Sequence, residues 1–268
     1  MGALVKTATI MLGVSVLLVG LAFNILRAQD LGPRDTGNRA MTSETRKVTA
    51  EVVVIKVEGA VDLFLRQSAT PAISVRAEQR LLPNLVTRQD GNTLTISSQG
   101  LMINARRPMR VELTLPALQE LQVLGSGNSR VEGFSGDALA VTVRGSGNVE
   151  FNGKYRRVTS IVAGSGDLTL NGGDSENVDI SLLGSGDASI RGSSKLLRAA
   201  INGSGDLLGN SLLADSVSVS VMGSGDALVH ARNSVAIVIR GSGDVHVQGA
   251  PSQRSVDKSG SGDVSWQQ

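Results

Sequence analysis

Gly125-Ser126-Gly127-Asn128, Gly145-Ser146-Gly147-Asn148 and Gly164-Ser165-Gly166-Asp167 open a series that continues from Gly184, Gly203, Gly223, Gly241 and Gly260. The eight first glycines lie 20, 19, 20, 19, 20, 18 and 19 residues apart. Such a period, with no low-complexity filler between copies, marks a solenoid in which each copy is one coil laid on the last. Sixteen of the 32 glycines belong to these eight tetrapeptides, so the glycine excess is periodic punctuation.

The flanks of the tetrapeptide alternate by two. Two residues before the first glycine stand Val123, Val143, Val162, Leu182, Ile201, Val221, Ile239 and Lys258; four before it stand Leu121, Val141, Ser160, Ile180, Ala199, Val219, Ile237 and Val256. Directly after the Asn or Asp come Ser129, Val149, Leu168, Ala188, Leu207, Ala227, Val245 and Val264, and two further on Val131, Phe151, Leu170, Ile190, Gly209, Val229, Val247 and Trp266. A period of two on both sides of a glycine turn means at least two strands per coil with inward side chains stacked in columns. The fold class is therefore all-β, a parallel β-helix or β-solenoid. Four inward positions per coil, each contributing about 1.5–3 kcal/mol when buried, hold a coil together only when its neighbours cover it. Lys258, Arg254 and the single tryptophan Trp266 break the columns in the last copy, which reads as a polar cap over the open sheet edge.

Lys6 followed by mostly apolar residues 7–26 forms a charged start and an apolar run, so residues 1–27 read as a signal peptide or signal anchor and the rest as exported. Small residues at Gly20 and Ala22 allow cleavage after Ala22; a retained stretch 7–26 would attach the chain to the membrane. Residues 28–47 are polar, contain Gly32, Pro33 and Gly37, and read as a linker. From residue 48 to 268 the pattern is that of one β-solenoid domain, with longer irregular coils over 48–117 and regular repeats over 118–268. Leu81-Leu82-Pro83 reads as a turn or single helical turn, and Asp90-Gly91-Asn92 as a tight turn between Leu85-Val86-Thr87 and Leu94-Thr95-Ile96.

Net charge is +2, split between +4 over residues 31–116 and −3 over 117–268, without the clustered basic and aromatic residues that nucleic acid requires. Cysteine is absent, which excludes disulfides, thiol catalysis and a cysteine zinc site. His230 and His246 sit at different offsets from their glycines and read as solvated strand residues. Lys154, Arg156 and Arg157 with Tyr155 form a short basic patch that could touch an anionic surface, and it reads first as a solvated loop.

The tetrapeptide itself admits three uses. Its glycines permit a sharp turn, so Gly125, Gly145, Gly164, Gly184, Gly203, Gly223, Gly241 and Gly260, with Asn128 and Asn148, are structural turn residues, the Asn or Asp side chain bonding nearby backbone N–H groups. Asp167, Asp187, Asp206, Asp226, Asp244 and Asp263 could instead hold a loosely bound cation such as Ca2+ in a ladder. Stacked aspartates such as Asp187, Asp206 and Asp226 could also serve a polysaccharide lyase or hydrolase. Asn in the first two copies favours the structural use, because the job Asn and Asp share is hydrogen bonding. Carboxylates about 4.8 Å apart repel by about 0.9 kcal/mol in water, and a turn hydrogen bond returns about 1 kcal/mol. The row is tolerable without metal. No repeated histidine accompanies the serines, so nucleophilic catalysis lacks a base and no catalytic residue is assigned.

Val57-Glu58-Gly59-Ala60-Val61-Asp62-Leu63-Phe64-Leu65, Asn84-Leu85-Val86, Gly91-Asn92-Thr93-Leu94-Thr95-Ile96 and Val111-Glu112-Leu113-Thr114-Leu115-Pro116, followed by the glycine-serine-glycine series, resemble the bacterial auto-transporter adhesin head GIN domain family over residues 48–268. That resemblance implies an exported β-solenoid of the cell envelope and carries no catalytic residues. The function expected is a non-enzymatic envelope or adhesion-type module whose flat faces meet a polysaccharide, lipid or protein partner, with no cofactor.

Overall fold

Parallel pairing in register builds the molecule. The computed structural model describes residues 39–100 and 107–267; the expected leader, the stretch 7–26 and the linker up to residue 38 lie outside them. The described chain holds seventeen strands and one short 3-10 turn at Leu82–Asn84. Strands β2 (Val54–Gly59), β3 (Val61–Gln67), β8 (Glu120–Gly125), β9 (Ser129–Gly145), β10 (Val149–Gly164), β11 (Leu168–Leu182), β12 (Ala188–Gly203), β13 (Leu207–Gly223) and β14 (Ala227–Gly241) stack in parallel. They are followed by β15 (Val245–Gln248), β16 (Gln253–Gly260) and β17 (Val264–Gln267), also parallel. First glycines pair with first glycines: Gly59 with Gly125, Gly125 with Gly145, Gly145 with Gly164, Gly203 with Gly223, Gly223 with Gly241 and Gly241 with Gly260.

That register puts like residues over like. Val57, Val123, Val143, Val162, Leu182, Ile201, Val221 and Ile239 form one buried column, and Leu63, Val149, Leu168, Ala188, Leu207, Ala227 and Val245 another. A further column, six residues before each first glycine, was not read from the sequence: Leu139, Val158, Val178, Leu197, Val217 and Val235 are all buried. Each long strand bends where its register slips, as between Asn152 and Gly153 in β10, and this lets one strand serve two walls of the coil.

Residues 48–117 do not make irregular coils in chain order. Strands β6 (Thr93–Ser98) and β7 (Met109–Leu115) lie parallel to β2 and β3, on the side away from β8 and β9, so this later pair precedes the earlier one in space. Beyond them the direction reverses. β4 (Ala72–Glu78) is antiparallel to β7, β1 (Met41–Arg46) is antiparallel to β4, and β5 (Leu85–Asp90) is antiparallel to β6. The cause of the last reversal is local: Gly91 at φ 55° closes a tight turn that returns the chain alongside itself. β1 also takes Met41–Arg46 out of the expected linker and into the sheet, where Arg46 Nη1 donates to the Leu85 carbonyl.

At the other end the columns stop. Arg254 lies in register with Val235, and Lys258 with Ile239. The Arg254 guanidinium stands 4.2 Å above the Trp266 ring, and Trp266 is packed against the core. A stacked arginine covers apolar surface while keeping its charge in water.

Candidate functional site: the Asx ladder, its groove and the charge ladder

Three residues after each first glycine the side chain reaches across to the next coil. Asn128 Oδ1 accepts the backbone N–H of Asn148 at 3.1 Å, and Asn148 Oδ1 that of Asp167 at 2.9 Å. Asp167, Asp187, Asp206, Asp226 and Asp244 continue the series, each Oδ1 taking the N–H of the next Asp at 3.0, 2.8, 2.8, 2.7 and 2.7 Å. The sequence suggests a bond to nearby backbone N–H groups; the amide served belongs to the neighbouring coil, which in-register stacking places within hydrogen-bond reach. The bond therefore ties coils together. Asp263 is the last rung among the described residues; its Oδ1 accepts from Lys258 Nζ at 2.8 Å, which holds the Asp263 carboxyl below the usual carboxylate range.

A ninth rung was hidden. Gly59-Ala60-Val61-Asp62 occupies the tetrapeptide position in the coil before Gly125, and Asp62 Oδ1 accepts the Asn128 N–H at 3.0 Å. The signal available was the glycine with Asp three residues on; the missing Ser-Gly concealed it.

The glycines are fixed by crowding more than by turn conformation. A Cβ at Gly127, Gly147, Gly166, Gly186, Gly205, Gly225, Gly243 or Gly262 would fall inside the van der Waals envelope of a carbonyl oxygen in the preceding coil. The first glycines meet the same obstacle at Gly125, Gly145, Gly164, Gly184, Gly203, Gly223, Gly241 and Gly260; Gly145, at φ 125°, and Gly260, at φ 138°, also occupy backbone space that favours glycine. The first-glycine carbonyl accepts two donors from the next coil: Gly145 O takes Ser165 N at 2.9 Å and Gly166 N at 3.0 Å. The intervening serines are exposed.

Beside the first rungs an open groove of about 490 Å³ is lined by Asp62, Phe64, Asn128, Arg130, Asn148 and Glu150, among others. Four rungs border the groove, and the two middle ones are Asn128 and Asn148, so two amide NH2 groups stand between the carboxylates of Asp62 and Asp167. Arg130 is held by Glu132 and Glu150 at 2.6 and 3.1 Å, and these carboxylates keep its guanidinium pKa raised.

Eight residues before the first glycines runs a second ladder, of alternating sign: Asp137, Arg156, Glu176, Lys195 and Asp215. Arg156 meets Asp137 at 3.2 Å and Glu176 at 2.9 Å, and Lys195 meets Glu176 at 3.3 Å. The hydrogen bonds from Arg156 and Lys195 hold the Glu176 carboxyl low. Arg157 also pairs with Asp137. The basic run is thus a strand segment whose arginines are neutralised coil by coil, not a solvated loop, and Tyr155 between them is buried with its hydroxyl donating to Leu118 O at 2.6 Å. His246 is exposed and bonds Ser265, and His230 lies in another column. Among the described residues no group of three or more His, Asp or Glu side chains is placed to hold a metal ion.

The family described as "Putative auto-transporter adhesin, head GIN domain" matches residues 53–251. The chain belongs to this family. Solved structures share its fold: a "putative adhesin" from Parabacteroides distasonis ATCC 8503 is 24% identical with a TM-score of 0.80, the alignment covering 86% of this chain and 98% of that one. A "putative adhesin" from Parabacteroides merdae ATCC 43184 is 20% identical at TM-score 0.78, covering 87% and 98%. A "putative lipid binding protein" from Parabacteroides distasonis ATCC 8503 is 25% identical at TM-score 0.74, covering 85% and 97%. A search of the curated proteins returned no match.

Proposed function

We propose that this head GIN domain protein is a non-enzymatic, adhesion-type module of the cell envelope, exported through its N-terminal apolar stretch, with the Gly-Ser-Gly-Asx tetrapeptides as the corners of the rod. The observation that carries this reading is the use made of the ladder: from Asn128 to Asp244 each Oδ1 is spent on an amide of the next coil. A carboxylate engaged in holding the scaffold, one per coil and with no partner acid, base or nucleophile converging on it, supports structure rather than turnover.

The partner face is the wall leading into the first glycines. Thr142, Ile161, Ser181, Ala200, Ser220 and Val238 follow one another in register, half-buried and uncharged, and Leu183 and Met222 flank them with 46% and 49% of their surface exposed. Small, evenly spaced side chains make a flat strip that suits an extended surface such as a polysaccharide, lipid or protein partner. The P. distasonis structure described as a lipid binding protein is compatible with such a face.

Glycan arrays, vesicle co-sedimentation and capture of envelope proteins, each run with wild type and with Ala200→Glu/Ser220→Glu, test the proposal. Binding by wild type that the double variant loses is the expected result. Blank binding together with turnover of acidic glycans that Asp187→Asn/Asp206→Asn/Asp226→Asn abolishes without unfolding would replace it by the lyase or hydrolase reading.

A further inference from the structure

The antiparallel pairing of β4 with β7 sets Arg76 directly opposite Arg110. Like charges facing each other across a strand pair destabilise it. Arg107 adds a third: Arg76, Arg107 and Arg110 line one open groove of about 210 Å³ with Met41 and Pro108, and all three are exposed.

None of the three forms an ion pair with a described residue, whereas Arg46, Arg66 and Arg80 on neighbouring elements each have a carboxylate within 4 Å, at 3.1, 3.8 and 2.9 Å. Asp62 is the register partner of Arg110 on β3; its Oδ1 accepts the Asn128 amide and its carboxylate forms no ion pair with Arg110, so it offsets the local positive charge only in part. Glu112, one pleat along β7 from Arg110, is in no ion pair and lies opposite Ser74. The Arg110 guanidinium carbon rests 4.6 Å from the centre of the Phe64 ring, within cation–π range.

We propose that Arg76, Arg107 and Arg110 form a binding site for a phosphate-class oxyanion, either a soluble phosphate ester or the phosphate of a lipid headgroup. Three arginines line one small groove. A tetrahedral phosphate offers enough oxygens for several forks at once, which the two oxygens of a carboxylate do not. The anion removes the repulsion between Arg76 and Arg110, so binding and local stability are linked. The site is separate from the strip that runs from Thr142 to Val238 and stands whether or not that strip has a partner.

The test is thermal unfolding of the full chain titrated with inorganic phosphate and, separately, with dihexanoyl phosphatidylglycerol below its micellar concentration, each against chloride at equal ionic strength. The expected result is a rise of about 3–5 °C in Tm at tenfold excess over Kd, absent in Arg76→Gln/Arg107→Gln and kept in the distant Arg144→Gln. Arg76→Gln alone in dilute chloride should match or exceed wild type. A shift with phosphate only identifies a soluble ester, and one with the lipid identifies a headgroup. No shift beyond chloride from either, or an equal shift in the double variant, overturns the proposal. Should the double variant fail to fold, the 31P resonance decides: broadening by wild-type protein supports the site, and an unchanged line width overturns it.

Discussion

Asp187 Oδ1 accepts the backbone N–H of Asp206, one coil further along, at 2.8 Å. The bond needs an oxygen at that place and not a charge, since Asn128 and Asn148 make the same contact in their own coils. Asp187→Asn should therefore keep wild-type stability, or exceed it at low salt where neighbouring carboxylates repel most. Asp187→Ala should lose about 0.5–1.5 kcal/mol in urea unfolding. Chelation of divalent cations should change neither value; a large calcium-dependent loss would restore the cation ladder.

Gly186 packs its α-carbon against the Gly166 carbonyl of the preceding coil, leaving no room for a side chain. Gly186→Ala is expected to cost about 1–3 kcal/mol or more through forced separation of the coils. Exposed Ser185→Ala, one residue away, should cost almost nothing. Equal effects of the two changes in denaturant titrations would contradict crowding as the reason for the glycine.

Ser160 interrupts an aliphatic column between Val141 and Ile180, and its buried hydroxyl has no hydrogen-bond partner. An unsatisfied buried hydroxyl costs about 1–3 kcal/mol. Ser160→Ala should raise stability by about 1 kcal/mol, visible as a higher denaturant midpoint with an unchanged slope.

Burial pushes the Tyr155 hydroxyl pKa up to about 12 from its ordinary value near 10. A raised folded-state pKa means that the neutral form is the one the fold retains. This contribution is complete below pH about 10 and is lost as pH climbs through about 12. Alkaline unfolding monitored by tyrosine absorbance should show the loss. Tyr155→Phe should remove that pH dependence and cost about 1 kcal/mol at neutral pH for the bond to Leu118.

Lys258 and Arg254 replace the aliphatic residues that Ile239 and Val235 supply one coil earlier. Arg254→Val/Lys258→Val should continue the columns to the open end and produce concentration-dependent, end-to-end self-association in light scattering. A strictly monomeric double variant would show that edge geometry, and not these charges, limits growth.

Much of this was legible in the chain because a coil of constant length repeats its information. Val143, Val162 and Leu182 announce an inward column by recurring at one offset from glycine, so the parallel stack and most of its core could be read directly. The column of Leu139, Val158 and Val178 repeats as faithfully; it lies on the same in-register run as Val143, Val162 and Leu182 and carries their alternation by two one step further from the glycine. The first rung escaped because Ala60 and Val61 replace Ser and Gly, and only the pairing of Gly59 with Gly125 reveals it. The alternating charges of Asp137, Arg156 and Glu176 were readable in principle, yet adjacent Arg157 made them look like a local basic run.

The sequence by itself determined the rod: equal spacing forces equivalent residues into register, and register turns single valines, leucines and isoleucines into continuous columns. Only the tertiary structure decided what each polar group faces. The partner of Asp187 lies nineteen residues away. The companion of Arg76 lies on a strand running the opposite way, beyond a reversal of direction that no period encodes. Contacts between neighbours in a repeat are written in its period; contacts made where the repeat ends depend on how the chain turns back, and that is fixed by packing.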